Sequence, residues 1–293
     1  MFSNSPVERF SFNFALDGDE ITPTSESSNE ARIDEPMMEE NANLIPAREH
    51  FIEDFIGNKI GEGEILNFNS RLKFKKICLS LLPSSLQPVV NHSDVVKHVY
   101  EGGLKLWECC RDLLEYLDEN FESLDQKNVL DLGCGQGFLG IYSLMVGNSD
   151  RVTFQDLNFE VLEHLTMKNV LLNVTGENIS RAKFVSGAWN HRNIFSLLPP
   201  NSFSLILTSD TLYEPTSLEP LLKIISHCLA PHGLALIAAK RYYFGIGGGT
   251  EALKIRVDSL GLMEWKVEKI FEDGKSNIRE IVTLKWKNNK FPQ

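Results

Sequence analysis

Apolar residues recur at helical spacing at Leu106, Cys110, Leu113, Leu114 and Leu117, so the stretch from Leu104 onward is predicted to form an amphipathic helix laid against a sheet. Downstream, short β-rich runs at residues 129–132, 152–155, 182–186, 203–208 and 234–239 alternate with helical patterns at 139–146, 159–172 and 217–229. That alternation predicts an α/β fold with a parallel, doubly wound sheet. The end of the chain departs from it. Residues 265–271 and 278–286 read as strands joined by the turn-like Glu272-Asp273-Gly274-Lys275-Ser276-Asn277, and two strands so closely connected must pair antiparallel. A dinucleotide-binding domain would instead repeat strand-helix units in its second half.

The first half of the chain has weaker patterning. Residues 1–43 are rich in Ser, Asn, Glu and Asp and carry ten acids against two arginines, a composition expected of a disordered acidic tail. Residues 44–99 hold short apolar runs at 51–56 and 77–82, broken by Gly61, Gly63, Pro83 and Pro88. They read as an irregular extension packed on a main domain of residues 100–293.

Charge follows the same division. Of the formal net charge of -11, about -8 lies in the first 43 residues, so the remainder is nearly neutral. This argues against charge-driven or sequence-specific binding of nucleic acid. Arg71, Lys73, Lys75 and Lys76 form either a local basic patch or a solvated helix face. The five cysteines, odd in number and without C-x-x-C spacing, imply reduced thiols and no metal site. No run approaches the roughly 20 apolar residues of a membrane span, and the polar start lacks a signal-peptide pattern. A soluble monomer in cytosol or nucleus is expected.

The chemistry concentrates at strand ends. The strand at 129–132 runs into Gly133-Cys134-Gly135-Gln136-Gly137 and then a helix. Such a turn presents amide N–H groups at a helix N-terminus, where they suit the carboxylate of a methionine moiety, with Asp131 holding its ammonium directly or through water. A nicotinamide dinucleotide, or a tight turn that binds nothing, would use the same glycines. Asp156 stands at the next strand end, where an acid accepts from both ribose hydroxyls or serves as a helix N-cap; Gln155 and Leu157 flank it. Gly187, Ala188 and Trp189 follow the third strand, and the Trp189 ring either borders an adenine or belongs to the core. Ser209, Asp210, Thr211 and Tyr213 follow the fourth, the position for substrate-handling groups. Residues 240–249, Lys-Arg-Tyr-Tyr-Phe-Gly-Ile-Gly-Gly-Gly, are either a mobile wall over a substrate groove or a flexible connector.

From about Tyr100 to Trp286 the chain resembles the histidine protein methyltransferases that modify one histidine of large-ribosomal-subunit protein three. The resemblance rests on Glu101-Gly102-Gly103-Leu104-Lys105-Leu106-Trp107-Glu108-Cys109, on residues 129–140, on Phe154-Gln155-Asp156, on Leu207-Thr208-Ser209-Asp210-Thr211-Leu212-Tyr213, and on Tyr243-Phe244-Gly245-Ile246-Gly247-Gly248-Gly249. It implies the seven-stranded class I methyltransferase fold, S-adenosylmethionine as cofactor and a basic ribosomal protein as substrate. It also implies cofactor contacts from Lys105, Leu106, Trp107, Glu108, Cys109, Gly133, Gln155, Asp156, Leu157, Gly187, Ala188, Trp189 and Ser209, to which the glycine turn adds Asp131 and Gly135. Where relatives are expected to carry Glu after Ser209, this chain has Asp210, one methylene shorter. For transfer to an imidazole, Asp210 is the candidate catalytic acceptor of the N–H opposite the attacking nitrogen, with Tyr213 assisting. A lysine or small-molecule methyltransferase on the same fold, or a cofactor-binding assembly factor without turnover, are the alternatives.

Overall fold

The computed structural model describes residues 44–55, 61, 63–83, 86, 101–124, 127–272, 274 and 277–287; the acidic tail expected over residues 1–43 lies outside them. Strands β1 (Arg48–His50), β2 (Gly63–Asn67) and β3 (Lys73–Ile77) come first. They are followed by α1 (Glu108–Asn120), β4 (Asn128–Leu132), α2 (Phe138–Met145) and β5 (Arg151–Asp156). A helix α3 runs through Phe159–Val161, a π turn at Leu162–Thr166 and Met167–Asn173. Then come β6 (Ala182–Ser186), a single-turn α4 (Ile194–Leu197), β7 (Phe203–Ser209), α5 (Leu218–Cys228) and β8 (Leu229–Lys240). Helix α6 (Thr250–Leu260), β9 (Met263–Phe271) and β10 (Arg279–Trp286) close the described chain.

The main sheet has the order β1-β6-β5-β4-β7-β8-β10-β9. Strands β6, β5, β4, β7 and β8 are mutually parallel, while β10 pairs antiparallel with both β8 and β9. Seven of the strands thus form the class I methyltransferase sheet, with the terminal hairpin predicted from the loop too short for a crossover. The eighth, β1, adds antiparallel to the β6 edge, with Arg48 opposite Ser186 and His50 opposite Phe184.

Strand residues alternate between two buried faces. Val129, Phe154, Leu205 and Leu236 join the core under α1, α2 and α3, whereas Leu130, Val185, Ile206 and Ile237 join the core under α5 and α6. With both faces covered, the parallel strands are rich in apolar residues, continuously so at 205–207 and 234–239, which made them visible in the sequence.

Three local features differ from the sequence reading. Helix α1 starts at Glu108, because the residues before it cross the glycine turn, where the Leu104 carbonyl accepts from Gln136 Nε2 at 2.7 Å. Helix α6 was not anticipated: its mixed sequence carries few core contacts, and only Thr250, Leu253 and Val257 are buried. Residues 71–76 are not a helix face. They lie on the β2–β3 hairpin and its turn, where Arg71 pairs with Asp118 at 2.9 Å and Lys76 with Glu64 at 2.7 Å.

That hairpin docks on α3 through two asparagines. Asn173 accepts from the Lys75 N–H and donates to its carbonyl, both at 2.7 Å. Asn169, fully buried, accepts from the Ile77 N–H at 2.8 Å and donates to the Gln136 carbonyl at 2.9 Å. The second bond ties the hairpin to the glycine turn. Asn169→Ala leaves a buried donor and acceptor unpaired, and it is expected to cost about 1–3 kcal/mol, read as a lower urea midpoint at unchanged slope.

Candidate active site

At the C-terminal ends of β4, β5, β6 and β7, where open parallel sheets bind ligands, a cleft is lined by residues of the 101–107 loop, the glycine turn and three strand ends. It brings together Lys105, Leu106, Trp107, Gly133, Gly135, Asp156, Leu157, Gly187, Ala188, Trp189, Ser209, Asp210 and Tyr213. Glu108, Cys109, Asp131 and Gln155 do not line it.

The turn is built from backbone that side chains would block. Gly133, Gly135 and Gly137 take φ of +66°, +50° and +80°, the left-handed region open to glycine without steric cost. A Cβ on Gly133 would stand 2.7 Å from Thr211 Cγ2, and one on Gly137 2.6 Å from Thr166 Cγ2. Thr166 lies at the end of the π turn and donates its hydroxyl to the Gly135 carbonyl. The π turn thus sets the hydroxyl beneath the glycines. Gly103 packs on Gly135 from above, its carbonyl 3.2 Å from the position of a Cβ there.

Asp131 stands one layer behind the cleft. It is almost fully buried, and its Oδ2 accepts from the Gly140 N–H at 2.9 Å, so it braces the first turn of α2 in place of the direct ammonium contact. Burial, with Asp156 nearby, pushes its carboxyl up to about 8. Gln155 is a similar support. Its Nε2 donates to the Asp156 and Gly187 carbonyls at 3.0 and 2.9 Å, and its Oε1 accepts from Trp189 Nε1 at 2.7 Å. It locks the Trp189 ring as a cleft wall, while Trp189 also packs against the second core.

Asp156 faces the cleft, and its Oδ2 accepts from the Gly135 N–H at 2.9 Å while Oδ1 accepts from Asn158 N–H at 3.2 Å. The N-cap of α3 is Asn158, so Asp156 is not that cap. Burial lifts its carboxyl to about 6. An ionised carboxylate is the stronger acceptor for ribose hydroxyls, so cofactor affinity is expected to fall as pH drops through about 6, and to lose that dependence in Asp156→Asn; calorimetric titration between pH 5 and 8 checks both. Its effect on stability has the opposite sign. A folded-state pKa above the unfolded value favours folding at low pH, and that contribution is lost as pH rises through about 6. Asp131, lifted higher, is already largely neutral in this window.

The other end of the cleft centres on Asp210. Its φ of +54° is rare for a non-glycine residue, and its carboxylate joins three elements. Oδ2 accepts from the Cys109 N–H at the N-terminus of α1 at 3.0 Å, and Oδ1 accepts from the Tyr243 hydroxyl at 2.9 Å. Cys109 thus reaches Asp210 through both its N–H and its thiol, while Glu108 pairs with Lys240 at 3.7 Å on the outside. Tyr243 sits beyond Tyr213, the ring centroids 6.4 Å apart. Burial raises the Asp210 carboxyl, and Asp210 in turn helps raise the Tyr243 phenol.

Residues missed by sequence reasoning include Gly103, Gln136, Thr166 and Tyr243. The first three act through backbone contacts across long sequence separations, which leave no local pattern. Tyr243 did lie in a stretch singled out for its composition. Hydrogen bonds hold both ends of that stretch: Gly249 N–H donates to the Leu212 carbonyl at 2.8 Å, and Glu280, buried on β10, accepts from Arg241 Nε at 2.8 Å and from the Thr250 hydroxyl.

The N-terminal segment closes the back of the cleft. A Cβ on Gly187 would lie 2.4 Å from Ala47 Cα, Ala188 N–H donates to the Ile45 carbonyl at 3.0 Å, and Asn193 bonds Ala47 N–H and carbonyl at 2.9 and 2.7 Å.

This donor set fits S-adenosylmethionine. The cradle admits a ligand against bare backbone, Asp156 stands where a ribose would lie, and Gln136 Oε1, buried beside the cleft with no hydrogen-bond partner among the described residues, suits an ammonium donor.

A family model described as "Lysine methyltransferase" matches residues 94–244, just over half the chain. "Histidine protein methyltransferase 1 homolog" of Dictyostelium discoideum is 43% identical over 203 residues, 69% of this chain and 64% of that protein. The protein of the same name in Bos taurus is 35% identical over 67% of this chain and 59% of its own length. "EEF1A lysine methyltransferase 3" of Mus musculus is 26% identical over 46% of this chain and 55% of its own length. The chain thus spans about six tenths of the length of the histidine methyltransferases it matches. With the glycine cradle, the seven-stranded order and these similarities together, the chain belongs to the methyltransferase family that this model describes.

Proposed function

We propose that the chain, acting through residues 100–293, transfers a methyl group from S-adenosylmethionine to an imidazole nitrogen of a histidine in a ribosomal protein. The observation that carries this reading is the glycine cradle with Asp156 beside it, in a chain more similar to proteins named for histidine methylation than to those named for lysine methylation.

Bound in the cleft, S-adenosylmethionine supplies an electrophilic methyl group on a sulfonium. Gly133 and Gly135 would let its amino-acid end pack against bare backbone, Asp156 would accept from the ribose hydroxyls, and Trp189 with Leu157 would wall the base. The residues near Asp210 then have one task, to align the nucleophile and exclude water. A histidine, with an unperturbed pKa of about 6.5, is largely neutral at pH 7, whereas a lysine at about 10.4 must first lose a proton. The Cys109 N–H and thiol and the Tyr243 hydroxyl reach the Asp210 carboxylate, which has about four lone-pair sites and so keeps one. That one accepts the substrate's other ring N–H and thereby selects which nitrogen attacks, with Tyr213 beside it. The acidic charge of the first 43 residues suits a basic ribosomal protein as partner.

The test is incubation of the purified chain with radiolabelled S-adenosylmethionine and an extract from cells lacking it. Label in one ribosomal protein is expected. Label confined to other proteins would sink the ribosomal assignment, and no label despite measured cofactor binding would favour a non-catalytic assembly factor.

A further inference from the structure

The loop of residues 240–249 is pinned at both ends and in its middle, yet its largest apolar side chains point away from the protein. Phe244 is 79% exposed, Ile246 58% and Tyr242 50%. Burying such groups is what ordinarily stabilises a fold, and a rigid loop that displays three of them presents a ready contact surface. The rigidity has visible causes. Glu280 holds the base through Arg241 and Thr250, and Tyr243 anchors the middle on Asp210. Gly248 lies so close to the Leu212 carbonyl that a Cβ would stand 2.1 Å from it, and one on Gly247 would stand 2.8 Å from Pro215. The loop therefore rests on residues 212–215, which run directly into the cleft at Tyr213, Thr216 and Ser217.

The surrounding charge is acidic. Arg241 is paired with the buried Glu280 and also feels Glu272 and Glu251, and Lys240 pairs with Glu108, so apart from the buried Glu280 three carboxylates stand against two cations. We propose that this loop is the docking surface for the protein substrate, and that it takes a basic segment carrying a large apolar side chain next to the residue to be methylated. Continuity with the acceptor end of the cleft and charge complementarity single out this occupant. The inference rests on the reading of the chain as a protein methyltransferase, but not on the acceptor being histidine.

The experiment compares the full chain with a Phe244→Ser, Ile246→Ser double variant. Methyl incorporation from labelled S-adenosylmethionine into extract protein is measured against acceptor concentration, alongside cofactor affinity by calorimetry and mass by sedimentation. Incorporation at low acceptor concentration is expected to fall at least tenfold and to recover as acceptor saturates, with cofactor affinity within twofold of wild type. Should the double variant lose cofactor affinity, Glu272→Lys at the exposed turn is read instead; it is expected to weaken incorporation at least threefold, by a margin that shrinks with added salt. Unchanged dependence on acceptor would overturn the proposal, as would a wild-type dimer that dissociates in the variant, because the face would then belong to a second copy. Loop-dependent incorporation into lysine would refute the histidine reading and leave the docking surface standing.

Discussion

Gly133→Val is expected to weaken S-adenosylmethionine binding at least about a hundredfold, equivalent to about 2.8 kcal/mol, while the protein still folds. Two effects combine. With φ at +66°, any side chain incurs about 1–2 kcal/mol of backbone strain, and a β-branched residue fares worst. The new Cβ would also stand 2.7 Å from Thr211 Cγ2. Thr211 cannot readily retreat, because its hydroxyl bonds Thr208 at 2.8 Å in the buried end of β7. Relief must come from the turn itself, and moving it displaces the backbone that lines the cleft and the Gly135 N–H that holds Asp156. Gly176→Ala is the control: its φ is +63° with nothing within 4 Å of an added Cβ, so it carries strain without crowding and is remote from the cleft. Calorimetry should show affinity lost in the first variant and kept in the second.

The second large effect concerns Asp210. Asp210→Ala strips the acceptor from both the Cys109 N–H and the Tyr243 hydroxyl. Each buried unsatisfied group costs about 1–3 kcal/mol, so a lower melting temperature and a loss of turnover of at least about a hundredfold are expected together. Asp210→Asn separates the two. Its oxygen can still accept from Cys109, and its amide can donate to the Tyr243 oxygen, so the fold should hold. What it loses is the anionic acceptor for the substrate's N–H, worth about 1.5–3 kcal/mol, and turnover should fall about ten- to hundredfold with cofactor affinity nearly intact. Wild-type turnover in Asp210→Asn would reduce Asp210 to a positioning residue that joins β7, α1 and the loop of residues 240–249.

The alternation of short β-rich runs with helical patterns made the sheet legible because both of its faces are buried under helices; the glycine turn was legible because three left-handed residues in five positions demand one residue type. The layer behind the cleft was less so. Asp131 and Gln155 were read as ligand contacts from their position at strand ends, but position does not say which way a side chain turns, and both turn inward to brace Gly140 and Trp189. The role of β1 was hidden for another reason: three residues at a sheet edge leave no periodic signal, although Ala47 beside them closes on Gly187. In residues 240–249 the composition was noticed but not its packing: Gly247 and Gly248 let backbone approach Pro215 and Leu212 closely, a contact between segments that leaves no local pattern.

The residue that accepts the methyl group tests the account most directly, since the family model is described by lysine and the more similar relatives by histidine. Acid hydrolysis of protein labelled by the purified chain, followed by separation of methylated amino acids, decides between them. The expected result is a single methylhistidine isomer, absent when Asp156→Ala replaces the wild type; methyllysine as the labelled product would contradict the account.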